Sequence, residues 1–271
     1  MKRLLSLLIL SFFISCLLTA CHNQNGEPDL PHDNRTVLVY MLADNNLATT
    51  YNYDQDNIRA MGDALAQADI NGDLVIYYAG ADAAPTLQEI KHTRNNQYTI
   101  EVVKRYDNND VSTSVNTIKE VIHDVKDLYN TRSYGLIFWS HATGWLPQNH
   151  LYTSSLHRAP SSFGKEGDDN LTIDINNLQQ ALDGNYFDFI LFDACLMGSV
   201  EVAYELRNTC RYIIASPTET LGSGFPYRNI TPLLFNDEID YEQVCNCYYD
   251  TYIAPGSLET GTITLIKTEA L

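Results

Sequence analysis

The 271-residue chain is 45% hydrophobic, enough apolar side chain to bury one sizeable core. Its 34 acidic residues outnumber 17 basic ones, for a formal net charge of −17. That balance argues against nucleic-acid binding, which needs a basic surface, and suits an exported domain or a surface that attracts cations and basic peptides. Six cysteines without a Cys-x-x-Cys pair argue against a dense disulfide framework and against a structural zinc site.

The chain opens with Lys2 and Arg3, then an apolar run to Ala20, and small residues before Cys21. A positive start, an apolar middle and small residues at the cut describe a secretory signal. Leu-Thr-Ala followed by Cys21 resembles a bacterial lipoprotein signal, in which that cysteine is lipidated and becomes the first mature residue. A plain signal peptide or membrane anchor is the alternative. Residues 1–20 are therefore read as the signal peptide and 21–35, with Pro28 and Pro31, as a polar tether. The expected product is exported and held by lipid on a bacterial cell membrane, at the periplasmic or outer surface.

From residue 36 the pattern alternates between strands and helices. Thr36–Leu42 reads as a strand, and Asp44, Asn45 or Asn46 as the cap of a helix over Leu47–Ala68 with Ile58, Met61 and Leu65 inward. Leu74–Tyr78 is a second strand, and Pro85–Tyr106 an antiparallel excursion turning at Asn95-Asn96-Gln97. A helix over Ser114–Tyr129 leads to the buried run Tyr134–Trp139. A polar loop follows, about Leu146–Leu171, long enough to be functional or mobile. A short helix over Ile173–Leu182 precedes Phe187–Phe192, a strand apolar on both faces, and a helix opens after Ser199. Arg211–Ala215 is the next strand; a Gly- and Pro-rich loop runs from Thr218 to Tyr227, Asp240–Ile253 reads as a helix and Thr262–Lys267 as a strand. Thr268–Leu271 reads as the opening of another helix, so the domain is expected to be incomplete at its C-terminus. The alternation predicts an α/β fold, a mostly parallel sheet flanked by helices.

Two strand ends carry reactive groups. Cys195 follows Phe187–Phe192 in the turn before a helix, and His141 follows Tyr134–Trp139. In an open parallel sheet both leave at the carboxyl edge, where ligands gather, and a thiol nucleophile needs a base within hydrogen-bond reach. A buried cysteine is more often a core residue, and a lone histidine after a strand more often a capping or surface group. The two together make a Cys-His pair an even match for those readings.

These residues resemble the clostripain-like cysteine peptidases, relatives of caspases and gingipains in fold. The match is carried by Tyr40-Met41-Leu42-Ala43-Asp44-Asn45-Asn46-Leu47, by Ile137-Phe138-Trp139-Ser140-His141, by Gly144-Trp145 and by Phe192-Asp193-Ala194-Cys195-Leu196-Met197. It extends through Ala215-Ser216 and Gly222-Ser223-Gly224-Phe225-Pro226-Tyr227 and spans roughly Thr36 to the end. The resemblance implies a caspase-like peptidase domain over 36–271, with Cys195 as nucleophile, His141 handling the proton, and backbone N–H groups near Cys195 and after His141 holding the oxyanion. It implies cleavage after Arg or Lys, with Asp193 recognising the basic side chain; the bland alternative is that Asp193 caps the following turn. It implies self-cleavage between His and Cys, for which Arg158 and Lys165 in the 146–171 loop are candidates, each equally readable as a solvated loop charge. No cofactor is required for the chemistry. Some members use calcium as an activator, and Asp168, Asp169 and Glu166 are donors of the right type.

Two positions depart from the family pattern: Ala142 stands where glycine usually follows the histidine, and Ser223 where some members carry an acid. Ala142 would strain a turn needing φ > 0, and Ser223 weakens a strict preference for Arg or Lys. These departures keep open a non-catalytic binding lipoprotein on a degenerate peptidase fold. A metal site built from His141, His150 and His157 is the weakest reading, because their spacing fits no regular face.

Overall fold

The computed structural model describes residues 32–68, 70–93, 95–108, 110–145, 163–167 and 171–271. The signal peptide, Cys21 and most of the tether lie outside them, as do His150, His157, Arg158, Asp168 and Asp169.

The first apolar run forms β1 (His32–Ala43), buried continuously from Arg35 to Ala43. Asn45 caps the four-residue α1 (Asn46–Thr49), its side chain accepting from the Leu47 N–H. The single helix expected over Leu47–Ala68 is broken in two. Asn52 adopts φ 59°, a left-handed conformation that asparagine tolerates, and α2 (Tyr53–Gln67) starts afresh behind it. The excursion is a true hairpin edge: β2 (Gly72–Gly80) pairs antiparallel with β3 (Thr86–Thr93), and β3 with β4 (Gln97–Arg105). Asn95 and Asn96 both take positive φ in the connecting turn. Ser114 caps α3 (Val115–Leu128), and β5 (Thr131–Trp139) follows.

Part of the expected 146–171 loop is ordered structure: β6 (Phe163–Glu166) pairs with β7 (Leu171–Ile173). Runs of four and three residues carry too little periodicity to be read in advance. The chain continues through α4 (Ile175–Leu182), β8 (Phe187–Asp193), α5 (Val200–Leu206), β9 (Cys210–Ala215), α6 (Tyr227–Leu233), α7 (Tyr241–Tyr252) and β10 (Thr264–Lys267). No element is expected from the sequence between Tyr227 and Asp240; α6 forms there although Pro232 lies inside it. Thr268–Ala270 forms a single 3₁₀ turn.

The sheet has eight strands in the order β10-β9-β8-β5-β1-β2-β3-β4. The central five run parallel, while β3, β4 and β10 are antiparallel at the two edges. The α/β class follows from the two apolar layers this sheet separates. One face packs Ile118, Val121, Leu178 and Val202 from α3, α4 and α5; the other packs Ile58, Met61, Ile230 and Val244 from α2, α6 and α7. After β1 the chain goes one way to β2 and later returns on the other side to β5 and β8. Strand order therefore reverses at β1, and a crevice is expected outside the carboxyl ends there.

Candidate active site

Sheet register brings the two predicted groups together. Trp139 of β5 pairs with Asp193 of β8, and His141 and Cys195 each lie two residues further on. Neighbouring strands run about 4.8 Å apart, so both side chains leave the same edge at the same level. They line one cavity of about 190 Å³, with Leu47, Trp139, Ser140, Asp193, Ala194, Thr220, Leu221 and Gly222.

Cys195 is half-buried, and its Sγ is bracketed by Thr220: the Thr220 N–H donates to Sγ at 3.3 Å, and Sγ lies 3.8 Å from the Thr220 carbonyl. Burial pushes the thiol up, against the Thr220 hydrogen bond, with Glu219 and Asp193 adding in the same upward direction. The turn is held by the Leu196 N–H to the Thr218 carbonyl at 2.9 Å and the Gly198 N–H to the Ser216 carbonyl at 2.8 Å. Leu196 takes φ 64°, a strained conformation costing about 1–2 kcal/mol.

His141 Nε2 lies 2.8 Å from Asn46 Oδ1. An amide oxygen there accepts from Nε2–H, which leaves Nδ1 with the lone pair. Burial lowers the imidazole below its ordinary value, and Lys165 lowers it further. Burial thus favours the neutral form of both groups. The supporting turn is anchored by Asn45, whose Nδ2 donates to the Leu42 carbonyl at 2.7 Å and the Lys165 carbonyl at 3.2 Å.

Ala142 does not strain its turn. It is absent from the residues with left-handed φ; that conformation falls at Gly144, φ 88°, where an added Cβ would meet the Leu196 carbonyl oxygen at 3.1 Å. Ala142 forms a bridge with Phe163 whose bond runs from the Gly164 N–H to the His141 carbonyl. The Ala142 N–H takes no part in that bond.

Asp193 lies 5% exposed in the cavity wall. Its Oδ2 accepts from the Tyr227 hydroxyl at 2.8 Å and the Phe225 N–H at 3.1 Å. Burial still pushes its carboxyl from 3.8 up to about 6, because those two hydrogen bonds only partly offset desolvation. Gly224, φ 75°, is required beside it: an added Cβ would come within 2.6 Å of Oδ2. Ser223 turns instead toward the Tyr252 hydroxyl, 3.4 Å away, and that hydroxyl donates to the Gly224 carbonyl.

Lys165 is not in an open loop. It sits in β6 with its N–H on Ser140 Oγ and its carbonyl held by Asn45. Glu166 accepts from the Ser112 and Thr113 N–H groups and from the Thr113 hydroxyl. Among the described residues no group of three or more His, Cys, Asp or Glu could hold a metal ion. Cys195, Cys210, Cys245 and Cys247 are all free thiols.

A model of the clostripain family, peptidase family C11, matches residues 39–268. The chain belongs to the clostripain family. Among solved structures, an inactive zymogen of a C11 protease from Parabacteroides distasonis is 36% identical, with a TM-score of 0.75, covering 89% of this chain and 64% of that one. A secreted C11 cysteine protease from Bacteroides thetaiotaomicron, solved with an irreversible peptide inhibitor, is 33% identical, with a TM-score of 0.72, covering 87% and 66%. The chain thus spans about two thirds of these relatives' length. No curated protein matches it. As a clostripain-family chain it carries supporting residues that the sequence alone did not single out. Asn46 against His141, Thr220 against Cys195 and Tyr227 against Asp193 are the three partners; all lay in motifs already quoted or in loops leaving the same sheet edge, but only register assigns each to its neighbour.

Proposed function

We propose that this chain is a cysteine endopeptidase that cleaves after Arg or Lys. The observation that carries the reading is one cavity at the carboxyl edge of the sheet, lined together by Cys195, His141 and Asp193. His141 Nδ1 takes the Cys195 proton, and the thiolate attacks the scissile carbonyl carbon. The Cys195 and Ala142 N–H groups stabilise the oxyanion. His141 then protonates the leaving amine, and water hydrolyses the thioester. Asp193, once ionised, receives the guanidinium or ammonium of the substrate in its buried wall.

The resting thiol is pushed up rather than down, and Thr220 brackets its sulfur. Self-processing in the 146–171 loop belongs to the same proposal. Lys165 is a poor scissile residue because its backbone is sewn into β6, which leaves Arg158 as the candidate. Export with a lipid on Cys21 is part of the same proposal. The secreted relative supports export, and among the described residues no helix is long and apolar enough to cross a membrane. Calcium stays in the proposal as an activator.

The test is hydrolysis of fluorogenic peptides ending in Arg, Lys, Ala or Asp, with reductant, with calcium or a chelator, and beside Cys195→Ala. Thiol-dependent cleavage after Arg or Lys, lost in the variant, is expected. Persistent activity in Cys195→Ala overturns the dyad. Silence in this chain and in a longer one would favour the binding-lipoprotein reading.

A further inference from the structure

The short strand β6, with Gly167 after it, reaches the loops that leave the carboxyl ends of β5 and β1, which are neighbours in the sheet. At the first loop the Gly164 N–H donates to the His141 carbonyl at 2.9 Å, and the Lys165 N–H to Ser140 Oγ at 3.2 Å. At the second the Lys165 carbonyl accepts from Asn45 Nδ2 at 3.2 Å, and the Gly167 N–H donates to the Asp44 carbonyl at 3.2 Å. One loop carries His141 and the other leads into Asn46. A single segment therefore ties together the two sides of the His141–Asn46 contact. Gly164 permits the close approach: at φ 85° an added Cβ would lie 2.6 Å from Leu42 Cδ1 and 3.0 Å from the Thr113 methyl.

The segment is fixed at both ends. Phe163 is fully buried against Phe138 and Phe192. Glu166 holds the other end: Oε1 accepts from the Ser112 N–H at 2.9 Å, and Oε2 from the Thr113 N–H at 3.0 Å and the Thr113 hydroxyl at 3.1 Å. That anchor belongs to the core. Ser112 is fully buried, its carbonyl accepts from the Tyr40 hydroxyl at 2.7 Å, and its Oγ lies 3.0 Å from the Tyr77 hydroxyl. Hydrogen bonds to a carboxylate are about twice as strong as neutral ones. A side-chain amide here would turn its NH₂ toward one of two buried N–H donors and leave that donor unsatisfied.

We propose that β6 is a brace for the candidate dyad and that Glu166 is a positioning residue. By pinning the brace to the Ser112–Thr113 turn, its carboxylate holds His141 against Asn46, with Nε2 protonated and Nδ1 left for Cys195. The inference rests on the dyad reading above. Glu166 does not line the Cys195 cavity, so it acts only through the backbone it holds.

The test reads His141 directly and needs no catalysis. The full chain carrying Cys195→Ala, with nitrogen-15 in its histidines, is observed by NMR at pH 8 in a chelator. The His141 ring nitrogens are identified by their loss in His141→Gln. The Nε2–H tautomer is expected to dominate in the parent. Glu166→Gln is expected to lower its ratio to the Nδ1–H form about fivefold or more, the worth of one hydrogen bond. Thr113→Val removes only the hydroxyl donor and should shift the ratio the same way, so the proposal does not depend on Glu166→Gln folding. Ser133→Ala weakens the Arg35–Asp188 cluster at the opposite end of β5 and should leave the ratio unchanged. In the active chain Glu166→Gln should lower kcat for Arg or Lys peptides about ten- to a hundredfold with KM unchanged, as a small misplacement of a reacting group does. An unmoved ratio in folded Glu166→Gln overturns the proposal. So does an equal shift in Ser133→Ala, or a fall in kcat without the shift. If the parent cleaves no peptide, the peptidase reading falls, and the tautomer ratio alone decides whether the brace holds His141.

Discussion

Replacing Asp193 by Asn separates the cost of the cavity carboxylate from its use. The folded carboxyl sits at about 6 against an ordinary 3.8. Because the folded value is the higher one, ionisation works against the fold. Stability from this group is complete below about pH 4 and is lost as pH rises through about 6. A difference of about two, at 1.36 kcal/mol each, makes the charged form cost about 3 kcal/mol at pH 8. Asparagine keeps an oxygen for the Phe225 N–H and the Tyr227 hydroxyl and carries no charge. In a Cys195→Ala background, Asp193→Asn is therefore expected to be more stable than its parent by about 2–3 kcal/mol at pH 8, and equal to it near pH 4. Urea unfolding at the two pH values measures this. In the active background the same change should cut kcat/KM for Arg and Lys peptides about a hundredfold, the effect of losing a buried ion pair of about 3 kcal/mol. A variant that is less stable at pH 8, or a difference that does not change with pH, refutes the reasoning.

Asn46→Ala removes the partner of His141 Nε2 without opening the core, since Asn46 is exposed; kcat should fall about tenfold with KM and the circular dichroism spectrum unchanged. Gly224→Ala places a methyl 2.6 Å from Asp193 Oδ2 at φ 75°. It should destabilise the fold by about 1–3 kcal/mol in urea and impair cleavage after Arg more than reaction with a small thiol reagent. Lys165→Gln removes a charge that lowers the His141 pKa. The acid limb of Cys195 alkylation by iodoacetamide should move to higher pH, and an unmoved limb would exclude Lys165 from that role.

The parallel core was legible because buried central strands announce themselves as apolar runs, as in Phe187–Phe192 and Tyr134–Trp139. The placement of Cys195 and His141 at neighbouring strand ends was legible for the same reason, each lying just beyond such a run. Asn52 was not, because its left-handed φ breaks a helix whose apolar spacing continues across the break. Helix α6 went unassigned; it forms around Pro232 with Tyr227 and Ile230 packed against the sheet. Asp193 was read as a recognition or capping group, and the structure adds a tether: it fastens the 224–227 segment to the nucleophile strand through Phe225 and Tyr227. Long-range pairs of this kind leave no local periodicity.

The adjacency of β5 and β8 has a further effect. One cut between Trp145 and Phe163 would put His141 and Cys195 on separate polypeptides, yet the strands bearing them would stay hydrogen-bonded side by side. Gly164 would still hold the His141 carbonyl across the gap. The two-chain product would run as one particle in gel filtration and as two bands in denaturant. Its unfolding would then be reversible only through a bimolecular encounter, at a rate that falls with dilution. A nick that leaves the shape unaltered would turn an equilibrium property into a kinetic one, and the molecule's lifetime would depend on how rarely it opens.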